Sequence, residues 1–415
     1  MKFNWKKVLV GSLSAALGLS AFAGGAVGLT QVSAQEPLRI AVDGNLLDYL
    51  EANIAGFEEE TGITVELVQQ DMFESLEGLP LDGPAGLAAD VLIAPYDRIG
   101  SLGMTGQISE VTLNEDAGFD DTDKLQVTAN DTIFGAPAII ESLVMYYNTD
   151  LIAEAPTTFE ELEVLAEDEA YAFEGEEGKN VAFLAKWTDF YVSYGLISGY
   201  GGYVFGQDGT DPTDIGLNNE GAIEGINYAI EWFNRWPQGM LDVTGSGDFV
   251  TQSFMDGSTA VIIGGPWDAT AFAEAGVNFE AAKIPTLPNG NDYQPFGGGK
   301  GWIISNYSTN KEAAQQFLDW VTTEEQQTAM FDMIREVPAN QAARAAAAEN
   351  SDSLTAAVID TYSSAVPMPN IPEMGEVWPG AENLMFDAAS GNKTAEQSAN
   401  DAVELISQSI EQKFN

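Results

Sequence analysis

Asp97 and Arg98 stand side by side at the end of the apolar run "DVLIAP", in a 415-residue chain that contains neither histidine nor cysteine. A carboxylate beside a guanidinium sets acceptors next to planar donors, which suits a polyhydroxylated ligand. An ordinary surface ion pair has the same spelling, and adjacency leaves both readings open. Glu141 lies among apolar residues in "PAIIESLVMYYN". An acid there is seldom buried without a partner, so it either lines a cleft or marks the end of a strand. Aromatic residues complete the set. Trp267 follows a Gly-Gly-Pro turn in "GGPWDA", and Tyr191 and Tyr194 lie in "DFYVSYG". Trp378 lies in "PMPNIPEMGEVWPG" (367–380), whose four prolines predict a stiffened loop that presents the ring. A single aromatic residue is more often core than site. A ring on a proline-stiffened loop and another at a turn after a strand are the better candidates. Rings edged by carboxylates and a guanidinium match the apolar face and hydroxyl rim of a sugar.

The missing residue types exclude much else. Without histidine there is no imidazole catalysis and no Ser-His-Asp triad. Without cysteine there are no disulfides, thiolate zinc sites or thiol nucleophiles. An enzyme would have to work through carboxylates, as glycoside hydrolases do, and no acid–base pair is singled out. The glycine-rich stretches "GYGGYVFG" (199–206) and "GGGKG" (297–301) lack phosphate-loop and dinucleotide spacing and are predicted as tight turns. Tyr146-Tyr147, flanked by Val144 and Met145, reads as sheet packing rather than as metal ligands. No cofactor and no metal are expected. With 16 basic and 64 acidic residues the formal net charge is −48, which opposes nucleic acid and anionic membranes as partners.

The N-terminus has Lys2, Lys6 and Lys7 ahead of an apolar run from Val8 to Leu29, then Val32-Ser33-Ala34. That pattern predicts a secretory signal peptide over 1–34, cut after Ala34. The run is also long enough for an uncleaved anchor, but it is rich in Gly and Ser. With no cysteine near the cut, no lipoprotein anchor is expected.

Further along, "LRIAVD" (38–43) reads as a strand. Leu46, Leu50, Ile54 and Phe57 follow at near-helical spacing, with Gly62 where a C-cap belongs. "TVELVQ" is a second strand, and "PAGLAADVLIAP" a short helix running into a third. This β-α-β-α-β order implies a mostly parallel sheet with helices on its faces. The alternation continues through strands in 133–152, a helix after Thr157 or Thr158, and a striped helix bearing Ile223, Ile226, Ile230 and Phe233. A strand then leads into Trp267, followed by a helix pair after Asn310 and a C-terminal amphipathic helix. No Ser/Gly/Pro-rich linker divides the chain, as fits two lobes joined by more than one crossing.

Together these segments resemble the maltose/maltodextrin-binding proteins, the extracytoplasmic solute-binding subunits of carbohydrate ABC transporters. The carriers are "FEEETGITVEL", "DVLIAPYDRIG", "GAPAIIESLVMYYN", "GGYVFG", "GGPWDA", "NKEAAQQFLDW", "MPNIPEMGEVW" and "NLMFDAASGNKT". The resemblance implies an α/β, two-lobe periplasmic-binding-protein-like fold of type II, its lobes joined by a multi-crossing hinge. Lobe 1 would be 35–140 plus 297–350, and lobe 2 would be 144–296 plus 351–415, with the hinge near 140–144, 296 and 350. It implies sugar-hydroxyl contacts from Asp97, Arg98 and Glu141, and stacking from Tyr191, Trp267 and Trp378. Asp189 falls on a family glutamate position, and Asp43 and Asn45 lie near an N-terminal polar pair. The implied partners are a maltodextrin-class oligosaccharide and the permease subunits of an ABC importer, with the protein itself a monomer. Ala94 and Ala269 stand where relatives carry tryptophan, and Pro379 replaces an aromatic residue. Fewer rings point away from maltose and toward a longer or different glucan. A binding protein for another oligosaccharide or a polyol, and a secreted carboxylate-based glycoside hydrolase, are the alternatives.

Overall fold

The structure, a computed structural model, describes residues 36–349 and 351–414. The expected signal peptide lies outside the described residues. Among those described, two main sheets form. In the first, β1 (Leu38–Val42) sits between β2 (Val65–Gln69) and β3 (Val91–Pro95) and is parallel to both. A small ribbon of β4 (Thr128–Ala129) and β5 (Thr132–Ile133) precedes β6 (Ala136–Glu141). The second sheet joins β7 (Val144–Asn148), β8 (Phe183–Ala185), β9 (Val261–Gly264) and β10 (Phe279–Ala282) in the order β10-β7-β9-β8.

The chain then returns to the first sheet through β11 (Phe296–Ile304), which runs antiparallel against both β3 and β6. At its start β11 also pairs in parallel with β12 (Val366–Pro367). The first sheet is therefore mixed rather than mostly parallel, because a late strand is inserted between strands laid down early.

The stretch 297–301 is accordingly the middle of a strand and not a turn. Glycine serves close approach there: a Cβ on Gly299 would come within 2.1 Å of the Ile139 carbonyl oxygen. The second helix also departs from expectation. It is Met72–Asp82, with Asp71 capping it by accepting the Glu74 N–H at 2.9 Å. The expected "PAGLAADV" helix does not form, since Gly83, Pro84 and Gly86 break the chain into turns.

Side-chain alternation accounts for the layers around the first sheet. Leu38, Ile40, Val42, Val91, Ile93, Trp302 and Ile304 pack into one buried cluster, while Ala41, Leu92, Ala94 and Ile303 pack into another. Strands buried on both faces need this two-sided apolar supply. The second sheet belongs to a larger cluster built on Phe159, Phe183, Trp187, Trp232, Trp236 and Tyr293. Tyr146 is buried there, its hydroxyl donating to the Gly265 carbonyl at 2.8 Å. Two local expectations hold: Gly62 is left-handed at φ 73° after the Gly44–Thr61 helix, and Thr158 forms a capping box with Glu161.

Candidate carbohydrate-binding site

A cleft of ≈ 470 Å³ opens at the carboxyl ends of β3 and β6 and the first half of β11, and Tyr191, Trp267 and Trp378 also line it. Asp97 and Arg98 enter it from the first turn of the helix Tyr96–Met104, directly beyond β3. Ligands of open α/β sheets gather outside the carboxyl ends of strands. The Arg98 and Asp97 side chains pair at 3.7 Å, with Arg98 half exposed and Asp97 nearly covered. Burial pushes the Asp97 carboxyl up, against the pull of Arg98. Glu141, the last residue of β6, is buried at the cleft and accepts a hydrogen bond from Lys300 Nζ at 2.6 Å.

The aromatic wall is a connected set. Tyr191 lies 6.3 Å from Trp267 and 6.1 Å from Phe296, centroid to centroid. Trp378 meets Phe190 at 6.1 Å and Phe296 at 5.9 Å, both edge-on. Phe296 is stacked on Tyr194 at 3.8 Å, so Tyr194 is a buttress behind the wall rather than part of its surface. Trp267 is 51% exposed. Leaving an indole in water forgoes a large burial gain, which makes sense if the ring waits for a ligand.

Trp378 is not on a loop. It sits in the helix Met374–Ala381, with Pro379 inside the same helix. Proline fixes φ in the helical range and removes a single donor, which a helix this short tolerates.

The cleft thus brings together Asp97, Arg98, Glu141, Tyr191, Trp267 and Trp378. The other three expected residues do not line it. Asp189 is the N-cap of the helix Phe190–Gly199, accepting the Tyr191 N–H at 3.0 Å, and pairs with Lys186 at 3.1 Å. Its carboxylate caps Tyr191's helix and keeps part of its surface exposed. Asp43 precedes the Gly44–Thr61 helix, where burial and Asp71 push its carboxyl up while Lys300 pulls it down. Asn45 lines a separate depression with Ala269, Met333 and Arg335.

Lys300, Phe73, Met72, Tyr96 and Met368 line the cleft without having been expected. Lys300 was visible as the one charge in a glycine run. Phe73 is 50% exposed and comes from the first turn of the Met72–Asp82 helix. It returns a ring to the wall on which Ala94, fully buried, has none. Nothing in its sequence context separates it from a core phenylalanine.

A cleft of this kind, between two α/β layers that share one returning strand, defines a ligand-binding protein of the two-lobe, type II periplasmic-binding class. The chain belongs to the bacterial extracellular solute-binding proteins, whose family model matches residues 52–357. It is 51% identical over 378 residues to the maltodextrin-binding protein MdxE of Bacillus subtilis, covering 91% of each chain. A maltooligosaccharide ABC transporter solute-binding lipoprotein of Streptococcus pneumoniae is also 51% identical, over 91% of this chain and 89% of that one. Among solved structures, the maltose-binding periplasmic protein MalE of Listeria monocytogenes in complex with maltose superposes with a TM-score of 0.87 at 55% identity. The match covers 91% of this chain and 99% of that one. MalX of Streptococcus pneumoniae in complex with maltopentaose gives 0.86 at 51%, covering 90% and 100%. The family consists of binding proteins, so this chain is not an enzyme, and the glycoside-hydrolase alternative falls.

Proposed function

We propose that this protein captures maltodextrins in the cleft by closing its lobes, and delivers them to the permease of an ABC importer. The observation that carries the reading is the convergence of Tyr191, Trp267 and Trp378 with Asp97, Arg98 and Glu141 on one cavity. Rings stack on the apolar sugar face while the charged groups exchange hydrogen bonds with its hydroxyls. The names of the similar proteins point to the same ligand class.

The lobes are proposed as 35–140 with 297–350 and 144–296 with 351–415, hinged near 140–144, 296 and 350. Two buried clusters lie wholly within the first lobe, while the third, mostly in the second, also takes in Ala117, Phe119, Ile140, Val337 and Ala339. Contacts from both walls to one ligand are what would favour the closed form. The protein acts outside the cytoplasm, as its family does. Action as a monomer, retention without a cysteine-linked lipid and absence of nucleic acid from its partners belong to the same proposal.

Titration calorimetry with maltose through maltopentaose tests the reading, with a galactooligosaccharide and sorbitol as competitors. Micromolar affinity, about −8 kcal/mol, is expected for a glucan that must be released again. Ligand at a hundred times its Kd then adds about 2.7 kcal/mol of stability in a thermal shift. Silence toward every glucan, or tighter binding of the galactooligosaccharide, overturns it.

Trp267→Ala is expected to weaken maltotriose binding by ~1–3 kcal/mol with little change in melting temperature, because the ring is already half exposed. Unchanged calorimetric affinity removes Trp267 from the site. Phe73→Ala is expected to lose about 1 kcal/mol in the same assay, and no loss would mean that the opposing wall binds without a ring.

A further inference from the structure

The run Gly297–Gly301 contains one charged residue, Lys300, and the cleft is where its ammonium ends. The strand that carries it is unusually connected. Phe296 and Gly297 pair with Val366 and Pro367, whereas Lys300 pairs with Pro95 on one side and Ile139 on the other. The register between β6 and β11 shifts between Lys300 and Gly301. Such irregularities re-aim a side chain. The flanking glycines let the strand press against β6 and Tyr96 closely enough for a long side chain to reach the cleft floor.

Lys300 Nζ lies 2.6 Å from Glu141 Oε1 and 3.9 Å from Glu336 Oε1, and all three side chains are at most 20% exposed. Asp43 lies within its field. Burial alone would lower the ammonium's pKa, but Glu141 and Glu336 outweigh burial and hold it above the usual lysine range. Burial pushes Glu336 up, Lys300 pulls it down, and Glu141 adds to the rise. Glu141 faces Lys300, Glu336 and the phenols of Tyr96 and Tyr191. Among the described residues, no donor other than Lys300 hydrogen-bonds its carboxylate. A carboxylate has about four acceptor positions, so most of Glu141's are left for a ligand.

Resting on the reading of this cleft as a sugar site, we propose that Lys300 is its positioning residue: by binding Glu141 Oε1 it holds that carboxylate at the end of β6 with its free lone pairs presented to a sugar hydroxyl. Neutralisation is the second half of the role. Glu141 and Glu336 both lie against Lys300, and without that cation the two carboxylates repel each other and Glu336, already pushed up by burial, takes up a proton more readily. A Glu141 displaced by that repulsion is a poorer acceptor.

The test is a double-mutant cycle on the full chain, with maltotriose calorimetry of the parent, Lys300→Met, Glu141→Gln and the double variant. Lys300→Met is expected to weaken binding roughly tenfold or more near neutral pH. Glu141→Gln is expected to lose a comparable factor, and the double variant no more than Glu141→Gln alone, since the lysine acts through the glutamate. The affinity of Lys300→Met should also vary with pH between about 5 and 7 more steeply than the parent's. Losses that simply multiply, or a Lys300→Met variant that binds like the parent, overturn the proposal. Should Lys300→Met fail to fold, Lys300→Gln is read in the same cycle.

Ligand-free thermal scans separate this proposal from the sugar reading. Carboxyls with raised folded pKa values contribute stability at low pH that is lost as pH rises. The melting deficit of Lys300→Met should therefore grow from about pH 5 to 7. If the parent ignores every maltodextrin while this deficit grows, the sugar reading fails and the pairing stands. If the deficit is flat with pH, the positioning role fails whatever the ligand.

Discussion

Replacing Arg344 with leucine is expected to remove about 3–5 kcal/mol of stability near neutral pH, measured by urea unfolding. The guanidinium donates to Asp120 Oδ2 at 2.9 Å, to Asp123 Oδ2 at 2.6 Å, and to the carbonyls of Pro338 and Ala339 at 3.0 Å each. Tyr362 Oη donates to Asp123 Oδ1 at 2.9 Å, and Gln126 Nε2 donates to Tyr362 Oη at 3.0 Å. The Asp123 side chain is wholly buried. Removing its cation leaves an uncompensated charge, which costs far more than the intact pair contributes.

The deficit should depend on pH, and its sign follows from burial. Burial pushes the Asp123 carboxyl from 3.8 up to about 6 even with Arg344 beside it. A carboxyl raised on folding stabilises fully below its unfolded pKa and loses that contribution as pH climbs through its folded one. Without Arg344 the folded value rises further. The variant's deficit should be small below about pH 4 and reach full size above about pH 7. Arg344→Leu/Asp123→Asn should recover part of the loss. A deficit under about 1 kcal/mol would mean that water solvates Asp123 after all. The cluster also lies behind the cleft wall: Tyr96 lines the cleft, its buried hydroxyl has no hydrogen-bond partner among the described residues, and Asp123, Tyr362, Arg344 and Glu141 make up its electrostatic surroundings.

Gly299→Ala is the second large effect, with ~2–3 kcal/mol of lost stability and weakened sugar binding expected together. Gly299 has φ +157°, and its added Cβ would sit 2.1 Å from the Ile139 oxygen and 2.6 Å from Tyr96 Cε2. The first of these is backbone in the neighbouring strand and cannot rotate away. Strand β11 must then withdraw from β6, carrying Lys300 from Glu141. Gly298→Ala is the built-in control. There the new Cβ meets only Met368 Cε at 3.6 Å, an ordinary contact, so stability should change by less than about 1 kcal/mol. Equal effects at the two positions, in calorimetric scans and in maltotriose titration, would contradict the close-approach account of this glycine run.

Much of the architecture was legible before any coordinates. Leu38–Val42, Gly44–Thr61, Glu220–Arg235 and Ala395–Phe414 carry clean periodicity and caps, which are local signals. The cleft residues Asp97, Glu141 and Trp267 announced themselves as charge or ring at the end of an apolar strand. Lys300 and Phe73 did not. A lysine among glycines reads as a turn because the reason for those glycines, the Ile139 backbone, lies far away in sequence. Asp189 carries a helix cap that its sequence context did not announce.

By itself the sequence determined the strands and helices with clean periodicity and caps, the exclusion of imidazole and thiol chemistry, and a formal charge of −48, because composition and short-range periodicity act within a few residues of themselves. Only the tertiary structure decided that β11 returns antiparallel between β3 and β6 and that Trp378 and Asp97 line one cleft. It also decided which carboxylates face the cleft and which hold the scaffold. Those choices rest on contacts between segments far apart in the chain, where packing and charge pairing outweigh any local preference.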